Sequence, residues 1–266
     1  MKRIVTLLIC MASYNVIVAQ NENLNADATT INNEFHALVK NMPSPTEELE
    51  DLHHDKAKFN EHLLSSPANL KQHETSAAIA INCGIYLVDF AYLAVYHEQE
   101  KMMEYRHLAH ELAFKLDAAE PFHNFLAVNL EEKVKDHDLL KQHVEFALTQ
   151  TEEFLINENR LATASQILMG TWIETQYIML QSFMWDKKRS DEVKRDIMEQ
   201  QTHLENLIKL VHEFKDEAGL QNEHEKLDLL LNSFKKIDSI EEVDDKIVME
   251  LKDEITRLRM DILAME

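Results

Sequence analysis

The chain has 266 residues, with 27 Lys+Arg against 48 Asp+Glu and three glycines. A net charge of −21 argues against nucleic acid and anionic membrane surfaces as partners, because clusters of Lys and Arg supply that attraction. Three glycines, against a usual share of ~7%, leave no place for a Gly-rich phosphate loop, a dinucleotide fingerprint or a Gly-flanked nucleophile elbow.

In chain order, Lys2-Arg3, the apolar run over 4–9 and the mostly apolar residues to Ala19 read as a cleaved secretory signal over 1–19. The run is short for a membrane span and is broken by Ser13 and Asn15, so no stable membrane insertion is expected. Cleavage near Ala19 places the mature protein in the periplasm or outside the cell. It also removes Cys10 and leaves Cys83 alone, so no intrachain disulfide is expected. Cys83, beside Gly84 in an apolar helix, reads as a small core residue rather than a nucleophile.

Residues 20–29 are polar and read as a flexible start to the mature chain, followed by a helical domain over 30–238. A first helix carries Ile31, Phe35, Leu38 and Val39 and ends before Pro43-Ser44-Pro45. There Ser44 is an N-cap, Pro45 sits at the first helical position and Glu47 completes a capping box. The helix that follows is expected to bury Leu49, Leu52, Phe59 and Leu63, with Lys56 between them, and Ser66-Pro67 repeats the stop-and-start device.

A long helix over 75–97 has two unlike faces. Ala77, Ala80, Gly84, Ala91 and Ala94 form a strip of small residues that lets another helix approach closely. Asn82, Tyr86, Asp89, Leu93 and Tyr96, with Tyr92 beside them, form a polar and aromatic seam. Helices are then expected at 99–116, 122–135 and 138–157, with Glu120-Pro121 as a break. The helix over 161–185 is apolar nearly all round, with Glu174 as its one formal charge, which reads as a buried central helix. Further helices start near Ser190 or Asp191, with Gly219 marking the end or the loop after it, and at 221–236. A C-terminal amphipathic helix over 239–266 carries Val243, Ile247, Leu251, Ile255, Leu258, Ile262 and Met265. Its narrow stripe either closes the bundle or pairs with a second copy of the chain. Period-2 alternation and hairpin turns are missing, so the fold class is all-α: an irregular bundle or helical-hairpin array of about eight to nine helices.

An internal echo links the two apolar helices. Gly84, Asp89 and Tyr92 in one are matched by Gly170, Glu174 and Tyr177 in the other, with each acid three residues before a tyrosine and so on one helical face. Two readings follow. In one, Asp89, Glu174, Tyr86, Tyr92, Tyr177 and Trp172 converge on a pocket that binds a cation or polar ligand, or acts as general acid and base. In the other they are a satisfied buried network that fixes helix register, and the residues alone favour this one. Glu104 and His107 have the Glu-x-x-His spacing of di-metal bundles but lie in a polar, half-exposed sequence, so no metal and no cofactor are expected. His53, His54, His203, His212 and His224 read as surface residues.

Pro43-Ser44-Pro45, Ser66-Pro67, Cys83-Gly84-Ile85-Tyr86 with Asp89 and Tyr92, and Gly170-Thr171-Trp172-Ile173-Glu174 with Tyr177, together with the exported leader, resemble a family of secreted, all-helical bacterial proteins of unknown function over about residues 40–235. That resemblance implies fold and location and assigns no catalytic residue. The expectation is an exported helical binding or assembly protein, non-catalytic, whose partner is a protein or a small ligand held between helices. The alternative is a ligand-binding protein or enzyme built on Asp89 and Glu174.

Overall fold

The computed structural model describes residues 33, 35–120, 142, 146, 149–151, 153–182, 191–214 and 221–265. The leader, the stretch 20–29, the helix expected at 122–135, half of that expected at 138–157 and Gly219 lie outside them. The chain divides into two units, 1–40 and 41–266. Of the first, residues 33 and 35–40 are described and are helical.

The second unit is all-α. Its α-helices are α1 (Pro45–His54), α2 (Ser76–Val95), α3 (Gln99–Lys115), α4 (Leu161–Ser182), α5 (Asp191–Glu213), α6 (Gln221–Phe234) and α7 (Asp245–Leu263), with 3-10 turns at Glu61–Leu63, Pro67–Gln72 and Ile240–Glu242. No strand occurs among the described residues. The starts follow the sequence signals. Ser44 Oγ accepts from the Glu47 N–H ahead of Pro45, Ser66 Oγ accepts from Ala68, and Thr75 caps α2 through Ala78.

The stops are less orthodox. Lys56, His97, Asp117 and Asn159 all have left-handed backbone, with φ of 65°, 60°, 52° and 57°. Each closes a Schellman turn. The Lys56 and Ala57 N–H groups return to His53 and Leu52, and the pairs His97 and Glu98, Asp117 and Ala118, and Asn159 and Arg160 repeat the pattern. The expected continuation of α1 through Phe59 and Leu63 is therefore wrong. The helix ends at His54, and Leu63 belongs to a separate 3-10 turn. A left-handed non-glycine residue costs about 1–2 kcal/mol, offset in part by the backbone entropy that glycine loses on folding. Exposed Lys56 replaced by Gly is therefore expected to stabilise the protein by about 0.5–1 kcal/mol in urea unfolding. An unchanged or lower midpoint would show that the Lys56 side chain makes up the difference.

Gly84 and Gly170 are placed elsewhere. α2 and α4 are the central pair: α2 packs on α1, α3, α4 and α7, and α4 packs on α1, α2, α5 and α7. A Cβ on Gly84 would lie 2.1 Å from the Ile167 carbonyl oxygen, and one on Gly170 would lie 1.9 Å from that of Ile81. Each glycine thus meets the carbonyl three residues before the other, so the echo in sequence is a reciprocal backbone-to-backbone crossing. The small strip expected on α2 is used at this point.

Every residue of α2 from Ala77 to Val95 is buried. Ser76–Val95 is long and apolar enough to cross a membrane, with mean hydropathy 1.8, but that window is wholly enclosed by the protein. α5 and α6 pack on each other, α6 also on α7, and α7 on α4. Of the expected stripe, Leu251, Ile255, Leu258 and Ile262 of α7 are buried inside this unit and Ile247 and Met265 are half-buried, with Val248 buried in place of Ile247. The C-terminal helix therefore turns this stripe into the bundle.

Candidate functional site

The polar and aromatic face of α2 is occupied by the chain itself. The segment from Ala57 to Ser66 leaves α1 and is irregular apart from one 3-10 turn, so it has no helix or sheet ladder to satisfy its backbone. Side chains supply the partners. Tyr96 donates its hydroxyl to the Ala57 carbonyl at 3.0 Å, and the Asn60 N–H donates to the Tyr92 oxygen at 3.0 Å. The Ser65 N–H donates to Asp89 Oδ2 at 3.0 Å; Tyr105 and Tyr86 donate to the Ser65 and Ser66 carbonyls, each at 2.6 Å. An unpaired buried backbone group costs about 1–3 kcal/mol, so the seam is what lets this segment lie against the core.

Arg259 of α7 enters the same place. Its Nε and Nη2 grip Glu174 Oε2 and Oε1 at 2.5 and 2.8 Å, the fork geometry that makes Arg–carboxylate pairs strong. Nη2 also donates to the Leu63 carbonyl at 3.1 Å and to Ser65 Oγ at 2.7 Å. The guanidinium lies 4.1 Å over the Tyr177 ring. Asp89 and Glu174 are both 0% exposed and Arg259 is 7% exposed, so two acids share one cation in a dry setting. Burial first, and the Glu174 charge second, hold the Asp89 carboxyl well above the usual carboxylate range. Burial works against the Arg259 charge, but Glu174 and Asp89 outweigh it and hold the guanidinium above its ordinary value. The ion pair is Glu174 with Arg259, and Asp89 is the acid whose charge this setting opposes. Tyr86, Tyr105 and Tyr177 are raised, chiefly by burial, and act as hydroxyl donors or ring surface, not as phenolates.

The six residues singled out in sequence do not all meet. Asp89, Glu174, Tyr86 and Tyr177 surround Arg259 and Ser65. Tyr92 faces an aromatic group with Phe59 and Tyr96, at centroid distances of 5.4 and 4.8 Å. Trp172 points elsewhere. Its Nε1 donates to Gln200 Oε1 at 3.1 Å, so it lies outside this cluster, contrary to the convergence expected of it. Comparison with known protein families, curated proteins and solved structures finds no match. The site is thus read from its residues alone.

Trp172 leads to a second polar junction, where α1, α4 and α5 meet. Gln200 Nε2 and Gln176 Nε2 donate to the two oxygens of Glu48, at 2.6 and 3.3 Å. Burial, followed by the neighbouring charges of Asp196 and Asp51, raises Glu48 to about 7, against the pull of the Gln200 and Gln176 amides. A carboxyl raised above its unfolded value of 4.5 takes up a proton on folding. Its contribution is therefore favourable below about pH 4.5 and is lost as pH rises through 7. Glu48→Gln is expected to be more stable than the parent at pH 8, by about 1–3 kcal/mol, and equal to it near pH 4.5. Asp89 pulls the same way, while His73 and His203, lowered mainly by burial, pull the other way below pH 6.5. All three are common to both proteins and cancel in the difference. Parallel stability–pH curves for the two proteins would refute the assignment to Glu48.

Other candidates lie apart from this cluster. Burial pushes the Cys83 thiol up to about 12, and its Sγ faces the Ala109 carbonyl at 3.9 Å. Glu104 and His107 are exposed on α3. No group of three or more His, Cys, Asp or Glu side chains among the described residues is arranged to hold a metal ion. Sequence reasoning missed Arg259, Ser65, Tyr105 and Glu48. Arg259 had a signal: it lies four residues after Ile255 and three before Ile262, on the buried stripe of α7.

Proposed function

We propose that this is an exported, non-catalytic helical protein that works by binding or assembly, with a protein or small-molecule partner. The observation that carries this reading is the sealing of Asp89 and Glu174. Both are 0% exposed, and the chain's own 57–66 segment and Arg259 fill the place a substrate would need. General acid–base work requires a titrating group within reach of the proton it moves, and these two carboxyls reach only Ser65 and Arg259. The basic and apolar start of the chain and the resemblance to secreted helical proteins support export.

The alternative, a ligand site on the buried acids, rests on one atom. Asp89 Oδ1 has no hydrogen-bond partner, and a ligand would reach it only if the 57–66 segment lifted away. Native mass spectrometry of the full chain, produced with export in a bacterial host, separates the readings. Bare or self-assembled protein, or a discrete protein complex, agrees with the proposal. A stoichiometric small-molecule adduct that is lost in Asp89→Asn, while the fold is kept, would overturn it. Export is tested by N-terminal sequencing, with Gln20 expected at the start of the mature chain.

A further inference from the structure

Two histidines that are twelve residues apart in sequence meet across α5 and α6. His212 Nδ1 lies 3.0 Å from His224 Nε2, with ring centroids 4.9 Å apart and planes at 53°. On the other side of the His224 ring, Nδ1 is 3.3 Å from Asp228 Oδ2, one helical turn further along α6. That carboxylate favours the His224 proton on Nδ1 and leaves the Nε2 lone pair facing His212. A carboxylate that fixes the outer nitrogen of a histidine, so that the inner nitrogen is presented as a base, is the usual support of a metal-binding imidazole.

We propose that His212 and His224 form an open two-histidine site for a divalent first-row cation of the imidazole-preferring kind, with Asp228 orienting His224. The spacing suits it. Two nitrogens bound to one cation at about 2.1 Å lie about 3.0 Å apart at a right angle and about 3.4 Å apart at the tetrahedral angle. In the metal-free protein the His224 Nε2 lone pair accepts from His212 Nδ1–H. A cation takes the place of that proton, which moves to His212 Nε2, and rotation of the two rings turns both lone pairs toward a common point. Imidazole selects zinc, nickel or copper over magnesium or calcium. His212 is exposed and His224 half-buried, so water completes the coordination and the ion exchanges freely. With only two protein ligands, the site clamps α5 to α6 rather than building a closed structural centre, and the acidic protein around it draws cations in.

The test is calorimetric titration of Zn2+ into the metal-free full chain, paired with thermal melts. One saturable equivalent is expected. His212→Gln and His224→Gln should each weaken it at least tenfold, and Asp228→Asn about tenfold, while His53→Gln on α1 leaves it unchanged. Zn2+ should raise the melting temperature of the parent and not that of His224→Gln. Each variant is compared with its own metal-free melt, since His224 is half-buried and either histidine substitution removes their mutual hydrogen bond. No saturable binding up to millimolar Zn2+ would overturn the proposal. So would an isotherm unchanged in both histidine variants, which would place the ion elsewhere on a chain with 14 histidines.

Discussion

Gly84→Ala is expected to lower stability by at least about 3 kcal/mol, and Gly170→Ala to do the same or abolish folding. Inside a helix, alanine is worth about 1 kcal/mol more than glycine, so a substitution judged by helix propensity alone would stabilise. The crossing reverses that sign. The added Cβ would sit 2.1 Å from the Ile167 carbonyl oxygen and 2.7 Å from the Thr171 nitrogen, or 1.9 Å from the Ile81 carbonyl oxygen. These are backbone atoms within helices and cannot swing aside as a side-chain tip can. α2 and α4 must move apart, and the packing along both is lost with the contact. Overpacking ordinarily costs about 1–3 kcal/mol, and a clash between the two central helices belongs at or above the top of that range. The double variant should lose less than the sum of the singles, because the helices separate once for both methyl groups. Urea unfolding measures all three. A single-variant loss below about 1 kcal/mol would show that the crossing is looser than the structure has it.

The same glycines illustrate how far the sequence could be read. Scarcity of glycine and proline, together with 3.6-residue periodicity, was enough for the all-α class, and uniform apolarity marked both central helices. Ser44-Pro45 and Ser66-Pro67 marked two starts because caps are local chemistry. The stop at Lys56 was not legible. A Schellman turn usually announces itself by glycine, and here Lys56, His97, Asp117 and Asn159 take the left-handed position. The buried acids were legible as costly, but their partners were not. Glu174 is satisfied by a residue 85 positions away, and Asp89 Oδ2 is held by Ser65 of an irregular segment, whose position the local sequence does not announce. Trp172 shares a helix with Glu174 but looks toward α5, because positions two apart on a helix point in different directions. His212 and His224 looked like surface residues singly, and only the docking of α5 on α6 makes them a pair.

Arg259→Met is expected to cost about 3–5 kcal/mol at pH 7, the penalty of leaving a buried carboxylate without its cation. The same side chain also serves the Leu63 carbonyl and Ser65 Oγ, so its loss reaches the 57–66 segment as well as Glu174. Removing both charges in Arg259→Met/Glu174→Leu should recover much of the deficit, since buried ion pairs are often replaceable by apolar side chains of similar volume. With the Glu174→Leu single variant the cycle closes and gives the coupling energy of the pair. The deficit of the single variant should also depend on pH. Asp89 already binds its proton more tightly folded than unfolded, and Arg259 opposes that binding, so losing the guanidinium raises Asp89 further. The folded variant then holds more protons than the unfolded chain at neutral pH, so its stability falls as pH rises and the deficit narrows toward pH 4. Amide exchange supplies the local readout: the Asn60 and Ser65 N–H groups, held by Tyr92 and Asp89, should lose protection before the α2 core does. A small deficit that does not vary with pH would mean that water reaches Glu174 and takes over from Arg259. Early loss of protection in α7, with α2 and α4 intact, would instead make the C-terminal helix a latch held by one buried arginine. The 57–66 segment would then be the part of the surface that opens when it lifts.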